Sequence, residues 1–169
     1  MIVLGIDPGT KRAGYGAVLK EGSTYTLLCA GILQTSAKEA ADILSEIKIS
    51  LDKIISDIRP DCLATEKLYF SKNQKTALAV AEARGIILLA AKEKGLPILE
   101  FSPNEVKLGI TGYGMADKKD VLKMVRLILK SPNLKIIDDA SDALALAILG
   151  GDRMVAEKKR INKTGSSKT

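Results

Sequence analysis

Histidine is absent from the 169-residue chain. With it go histidine general bases, the usual Ser-His-Asp arrangement and every His-bearing zinc site. Acid-base or metal chemistry is left to carboxylates. Cysteine is scarce: Cys29 and Cys62 lie far apart in predicted strands, where they read as small buried apolar residues rather than as a disulfide or a metal knuckle. That usage fits a reducing compartment. The chain has no run of about eighteen apolar residues and enters a strand at once, without a cleavable signal pattern. The expectation is a cytoplasmic protein with no membrane partner.

What is present is one domain's worth of chain, 46% apolar, long enough to bury about two thirds of its unfolded surface. The net charge of +6 suggests a polyanionic partner, yet it is unevenly placed. Residues 153–169 hold six basic groups against Glu157 and so carry +5 of it. The stretch 67–94 still has six basic groups to two acidic, and 105–130 has six to three. Each reads equally as a polyanion-binding patch or as a solvated helix face.

IVLGID (2–7) reads as a continuous buried strand, and GYGAVLK and TYTLLCAGILQ as two more joined at Glu21-Gly22. Ala40, Leu44, Ile47, Leu51, Ile54 and Ile58 have amphipathic helical spacing, stopped by Arg59-Pro60. DCLATE is a short strand ending on Glu66. Residues 73–94 predict a helix apolar nearly all round, to be covered on more than one side, either deep in the domain or by self-association. PILEF is the next strand. SPNEVK opens a helix with Ser102 as N-cap, Pro103 at the first position and Glu105 closing a capping box. ITGYGMADKK is a glycine-bearing loop leading into a helix at about 117–130. DDASDALALAILGG is a last helix, capped by Asp138 and ended by its glycines. The expected organisation is a 1–152 α/β domain with a mixed sheet, followed by a loosely ordered basic tail, 153–169.

Four acids stand out. Asp7, in IDPGT, reads alone as part of a turn. At the carboxyl end of a central strand it also points into the crevice where α/β sheets place ligands, and Gly9 admits close approach to the backbone. Glu66 follows an apolar run in the same way. Asp139 and Asp142, three apart, share one helix face. They complement the helix dipole, but the apolar ALALAIL that follows draws this turn against the sheet. Four converging carboxylates repel unless cations hold them. Mg²⁺ or Mn²⁺, as a pair of ions, fits an all-oxygen donor set and the hydrolysis of phosphodiesters.

GIDPGT with KRAGYG after it, ATEKLYF, EVKLGITGYGMADK and DDASDALALAI stand in an order and spacing that resemble the RuvC family of Holliday junction resolvases, over roughly residues 1–150. The resemblance implies a ribonuclease H-like α/β fold, with a mixed five-stranded sheet flanked by helices. It implies a homodimer that cuts four-way DNA junctions by paired nicks, leaving 5′-phosphates and 3′-hydroxyls. The metal ligands fall on Asp7, Glu66, Asp139 and Asp142, and the family's two catalytic lysines on Lys107 and Lys118. Tyr69 takes the place of a base-stacking aromatic, with Phe70 beside it. Lys72, Lys75 and Lys119, in the basic stretches, join them as candidate DNA contacts. RuvA and RuvB are implied as partners, and helix 73–94 is the candidate dimer seam. Three other classes share parts of the pattern. They are a YqgF-like nuclease acting on RNA, an actin-like ATPase, for which 169 residues leave no second lobe, and a non-catalytic DNA-binding module.

Overall fold

The computed structural model describes residues 1–10, 12–68 and 74–165, with side chains described for 1–10, 12–68 and 77–161. Tyr69, Phe70, Lys72 and the side chain of Lys75 lie outside the described residues. Five strands form one sheet: β1 (Ile2–Asp7), β2 (Arg12–Glu21), β3 (Thr24–Gln34), β4 (Cys62–Glu66) and β5 (Ile98–Phe101). Their spatial order is β3-β2-β1-β4-β5. The first three are antiparallel neighbours, whereas β4 runs parallel to β1 and β5 parallel to β4. The sheet is therefore mixed. β1 and β4 both end at the same edge of the sheet, on Asp7 and Glu66.

Among the described residues five helices cover the two faces: α1 (Ala40–Ile58), α2 (Gln74–Glu93), α3 (Pro103–Thr111), α4 (Lys118–Ile128) and α5 (Asp138–Gly165). Strand alternation divides the core between them. Leu4, Ile6 and Leu63 face α1 and α2, packing with Ile47, Leu51, Ala83 and Ile87. Val3, Cys62 and Ala64 face the other way, toward α5 with α3 and α4, packing with Leu144, Ala147, Val106 and Val121. By the same alternation Asp7 and Glu66 point to the α5 side. Among the described residues no helix is long and apolar enough to cross a membrane.

α1 ends at Arg59, which adopts a left-handed conformation with φ 53°, so the Arg-Pro stop acts through its first residue. α2 is not enclosed on all sides. Ala83, Ile87, Ala90 and Ala91 are buried, while Leu78 and Leu89 are 68% and 49% exposed. Of the two expectations for this helix, burial deep in the domain is set aside.

α5 corrects the sequence reading twice. Asp138 is its first residue rather than its cap, and the carbonyl of Ile137 accepts the first helical bond from Ser141. Nor does the helix stop at Gly150-Gly151; it continues to Gly165. A Cβ on Gly150 would lie 2.9 Å from the Ala64 Cβ, and one on Gly151 would lie 3.0 Å from Lys20 and Tyr25. These glycines serve close packing, not termination. Beyond them Arg153 reaches Glu105 at 3.0 Å and lies over the Phe101 ring, so the expected loose tail begins as packed helix. A network of Lys20, Tyr25 and Asp152 fastens the same stretch, with Lys20 Nζ donating to both the Tyr25 hydroxyl and Asp152 at 2.8 Å.

Upstream, α5 sits directly on the sheet. A Cβ on Gly5 of β1 would fall 1.9 Å from the carbonyl oxygen of Ala143, and one on Gly14 of β2 1.9 Å from that of Asp139. Both neighbours are backbone, which cannot swing aside as a side chain can. Gly5→Ala is therefore expected to cost about 3 kcal/mol or more, the upper end for overpacking, measured as a lowered urea midpoint. A loss below about 0.5 kcal/mol would show that α5 can lift off the strand cheaply.

Candidate active site

Asp7 and Glu66 terminate strands one place apart in the sheet, and both belong to the face that α5 covers. Asp142 comes from the second turn of α5, held over that edge by the Gly5 and Gly14 contacts. Together with Lys107 of α3 and Lys118 of α4 these three acids line one cavity of about 320 Å³. Val106, Val121 and Leu146 supply its apolar wall. Two other depressions, of about 420 and 430 Å³, are larger but gather no carboxylate and only Asp152, respectively. Chemistry, not size, singles out the smaller one.

The lysines are placed by caps. Ser102 caps α3, accepting from the Glu105 backbone N–H, while the Glu105 carboxylate accepts from the Ser102 N–H at 2.7 Å. These bonds, with Arg153, pull the Glu105 carboxyl down to about 2. They pin the start of α3 and so fix Lys107 one turn on. Asp117 caps α4 in a second capping box, closed by Asp120, which makes Lys118 the first helical residue. A cation there opposes the helix dipole, and it is offset by a carboxylate: Lys118 Nζ donates to Asp142 Oδ2 at 2.9 Å.

Asp139 stands apart from its three partners. It lies beside Asp7 but does not line the cavity, and its carboxylate is paired with Arg12 at 3.0 Å. Arg12 went unnoticed in the sequence. The available signal was its place two residues before Gly14 on one strand, hence on the face where α5 lands. Lys119 follows Lys118 on α4 and is exposed.

Electrostatics mark Asp7 as the costliest of the acids. Burial first, then the charges of Asp142, Glu66 and Asp139, push its carboxyl up to about 7, against a smaller opposing pull from Lys118. Glu66 is raised as well, by burial and then by Asp142. Among the described residues no three acidic or cysteine side chains stand close enough to hold one metal ion as placed. The donor set nevertheless fits a hard divalent cation: it is all oxygen, and it is starved of positive charge at Asp7.

A mixed sheet in this strand order, with acids closing its first and fourth strands under a long helix, makes the chain a ribonuclease H-like protein. The family model for the crossover junction endodeoxyribonuclease RuvC matches residues 3–150. RuvC of Petrotoga mobilis is 42% identical over 153 residues, covering 90% of this chain and 94% of that one. The solved Thermus thermophilus RuvC in complex with a Holliday junction substrate superposes with a TM-score of 0.83 at 33% identity, covering 89% of this chain and 93% of the other. The yeast mitochondrial Holliday junction resolvase Ydc2, 18% identical with a TM-score of 0.63 over 87% of this chain and 76% of its own, shares the fold. The chain belongs to the RuvC family of crossover junction endodeoxyribonucleases.

The raised Asp7 carboxyl makes a stability prediction. Its folded value lies above its unfolded one, so its ionisation opposes folding: the penalty is nil below about pH 4 and complete above about pH 7. Asp7→Asn should therefore stabilise the metal-free protein at pH 8 by on the order of 2 kcal/mol and leave it nearly unchanged at pH 4. Urea midpoints in EDTA at the two pH values measure this. Equal effects at both would remove the charge repulsion from the account.

Proposed function

We propose that the chain resolves four-way DNA junctions by hydrolysing one phosphodiester in each of two symmetric strands. The observation that carries this reading is the meeting of Asp7, Glu66 and Asp142 with Lys107 and Lys118 around one cavity in a RuvC-family fold. Asp7, Glu66, Asp139 and Asp142 would hold one or two divalent ions, Mg²⁺ or Mn²⁺. Such ions supply a water nucleophile at neutral pH and neutralise charge at phosphorus. In the reaction a water oxygen bonds to phosphorus, the bond to the 3′ oxygen breaks, and the products are a 5′-phosphate and a 3′-hydroxyl.

The residues of the chain supply position and field. Lys107, one turn into α3, and Lys118, at the start of α4, line the cavity. They can hold the phosphate on either side of the bond to be cut, as charge-assisted donors. Lys118 is shared with Asp142 until a phosphate arrives. Lys72, Lys75 and Lys119 would extend the contact along the backbone, and Tyr69 with Phe70 would stack on bases near the crossover.

Paired cuts call for paired sites. We infer a homodimer with α2 at its seam, since Leu78 and Leu89 are exposed on the outer side of that helix. A two-fold enzyme matches the near two-fold symmetry of an open junction. RuvA and RuvB, as the proteins that move the junction, are the proposed partners in the cell.

The reading is tested with a synthetic four-way junction, with and without Mg²⁺. The native chain should introduce symmetric nicks only with the metal. Asp7→Asn should keep junction binding within about threefold and lose at least about a hundredfold in nicking, as expected for removal of a group that acts on the transition state. Cleavage of structured RNA with none of the junction would favour the RNA-directed alternative instead.

A further inference from the structure

Two of the four acids are already neutralised from within the chain, and by different devices. Asp142 is paired with Lys118, which lines the cavity with it. Asp139 is paired with Arg12, which does not. The second pair follows from the sheet itself. Arg12 opens β2 and Gly14 stands two places on, so the two share a face. Gly14 is where the backbone of Asp139 touches the sheet. The guanidinium is thus delivered to the first turn of α5, 3.0 Å from Asp139 Oδ2.

This pairing accounts for an otherwise odd division. Asp139 neighbours Asp7, yet it is the one acid of the four that does not line the cavity. The Arg12 side chain is 56% exposed, against 26% for Asp139. An ion pair that open to water is weak and easily exchanged for another partner.

Resting on the metal-dependent reading above, we propose that Arg12 is a tethered counter-cation of the acidic centre: it holds Asp139 while no divalent ion is bound and yields it when one enters, so that residue 12 sets the affinity for metal. Removing the guanidinium frees a ligand and makes the cavity more negative, and both changes tighten ion binding. If Arg12 instead served only to brace the first turn of α5, its removal would loosen Asp139 and weaken ion binding. The two roles predict opposite signs.

The test is calorimetric titration of Mn²⁺ into the metal-free full-length protein, without DNA, for native, Arg12→Gln, Arg12→Lys and Lys53→Gln. Lys53 is exposed on α1 and pairs with Asp57, so its loss changes net charge away from the site. Arg12→Gln should lower the Mn²⁺ dissociation constant about two- to fivefold, the range set by a solvent-exposed ion pair. Arg12→Lys should stay near native, and Lys53→Gln should match it. Unchanged or weaker binding by Arg12→Gln, or an equal gain from Lys53→Gln, overturns the proposal and leaves the metal-dependent reading intact. A folded native chain that takes up no Mn²⁺ overturns both.

Discussion

The backbone of α5 rests on the backbone of β1 and β2, with no side chain between them at Gly5 and Gly14. Everything else about the site depends on that contact. Helices normally stand off a sheet by the thickness of the side chains between them. Here the missing Cβ atoms, answered by Ala140, Ala143 and Ala147 on the helix, let α5 sink toward the strands. Its first two turns then overhang the edge where β1 and β4 end. The acids of α5 meet those of the strands because the sheet is nearly bare beneath it. Farther along the helix, Gly150 and Gly151 make room for side chains of the sheet, Ala64, Lys20 and Tyr25 among them, and the Lys20–Tyr25–Asp152 network fastens that stretch.

Holding four carboxylates there works against stability. Asp7 bears most of the strain, through burial and three like charges, and Lys118 opposes it, while Arg12 pairs with Asp139. Active sites commonly trade stability for chemistry in this way. The cations are not equivalent. Lys118, at the start of α4, faces the cavity and pairs with Asp142. Arg12 stands outside the cavity and pairs with Asp139.

The parts of this design that follow local rules were readable in the sequence. An apolar strand that stops on Asp7 or Glu66 announces a strand-end acid, because strand burial and charge are local properties. The Ser102–Glu105 capping box was readable for the same reason, since it lies within four residues. What required the third dimension was misjudged or missed. The glycine pair at 150–151 looks like a helix terminator in one dimension, and only the positions of Ala64 and Tyr25 reveal its use in packing. Asp139 and Asp142 share a helix face, yet their charges go to different partners, Asp139 to Arg12 of β2 and Asp142 to Lys118 of α4. The apolar surround of α2 left two possibilities open; burial of one side and exposure of Leu78 and Leu89 narrowed them.

The central claim is that acids from β1, β4 and α5 close on divalent ions at the edge of the sheet. Anomalous diffraction at the manganese edge from crystals of the native chain grown with Mn²⁺ tests it most directly. The account predicts one or two peaks bounded by Asp7, Glu66 and Asp142, with Asp139 turned inward from Arg12 to join them. Manganese bound only elsewhere on the surface, with Lys118 still on Asp142 and the cavity empty of density, would contradict it.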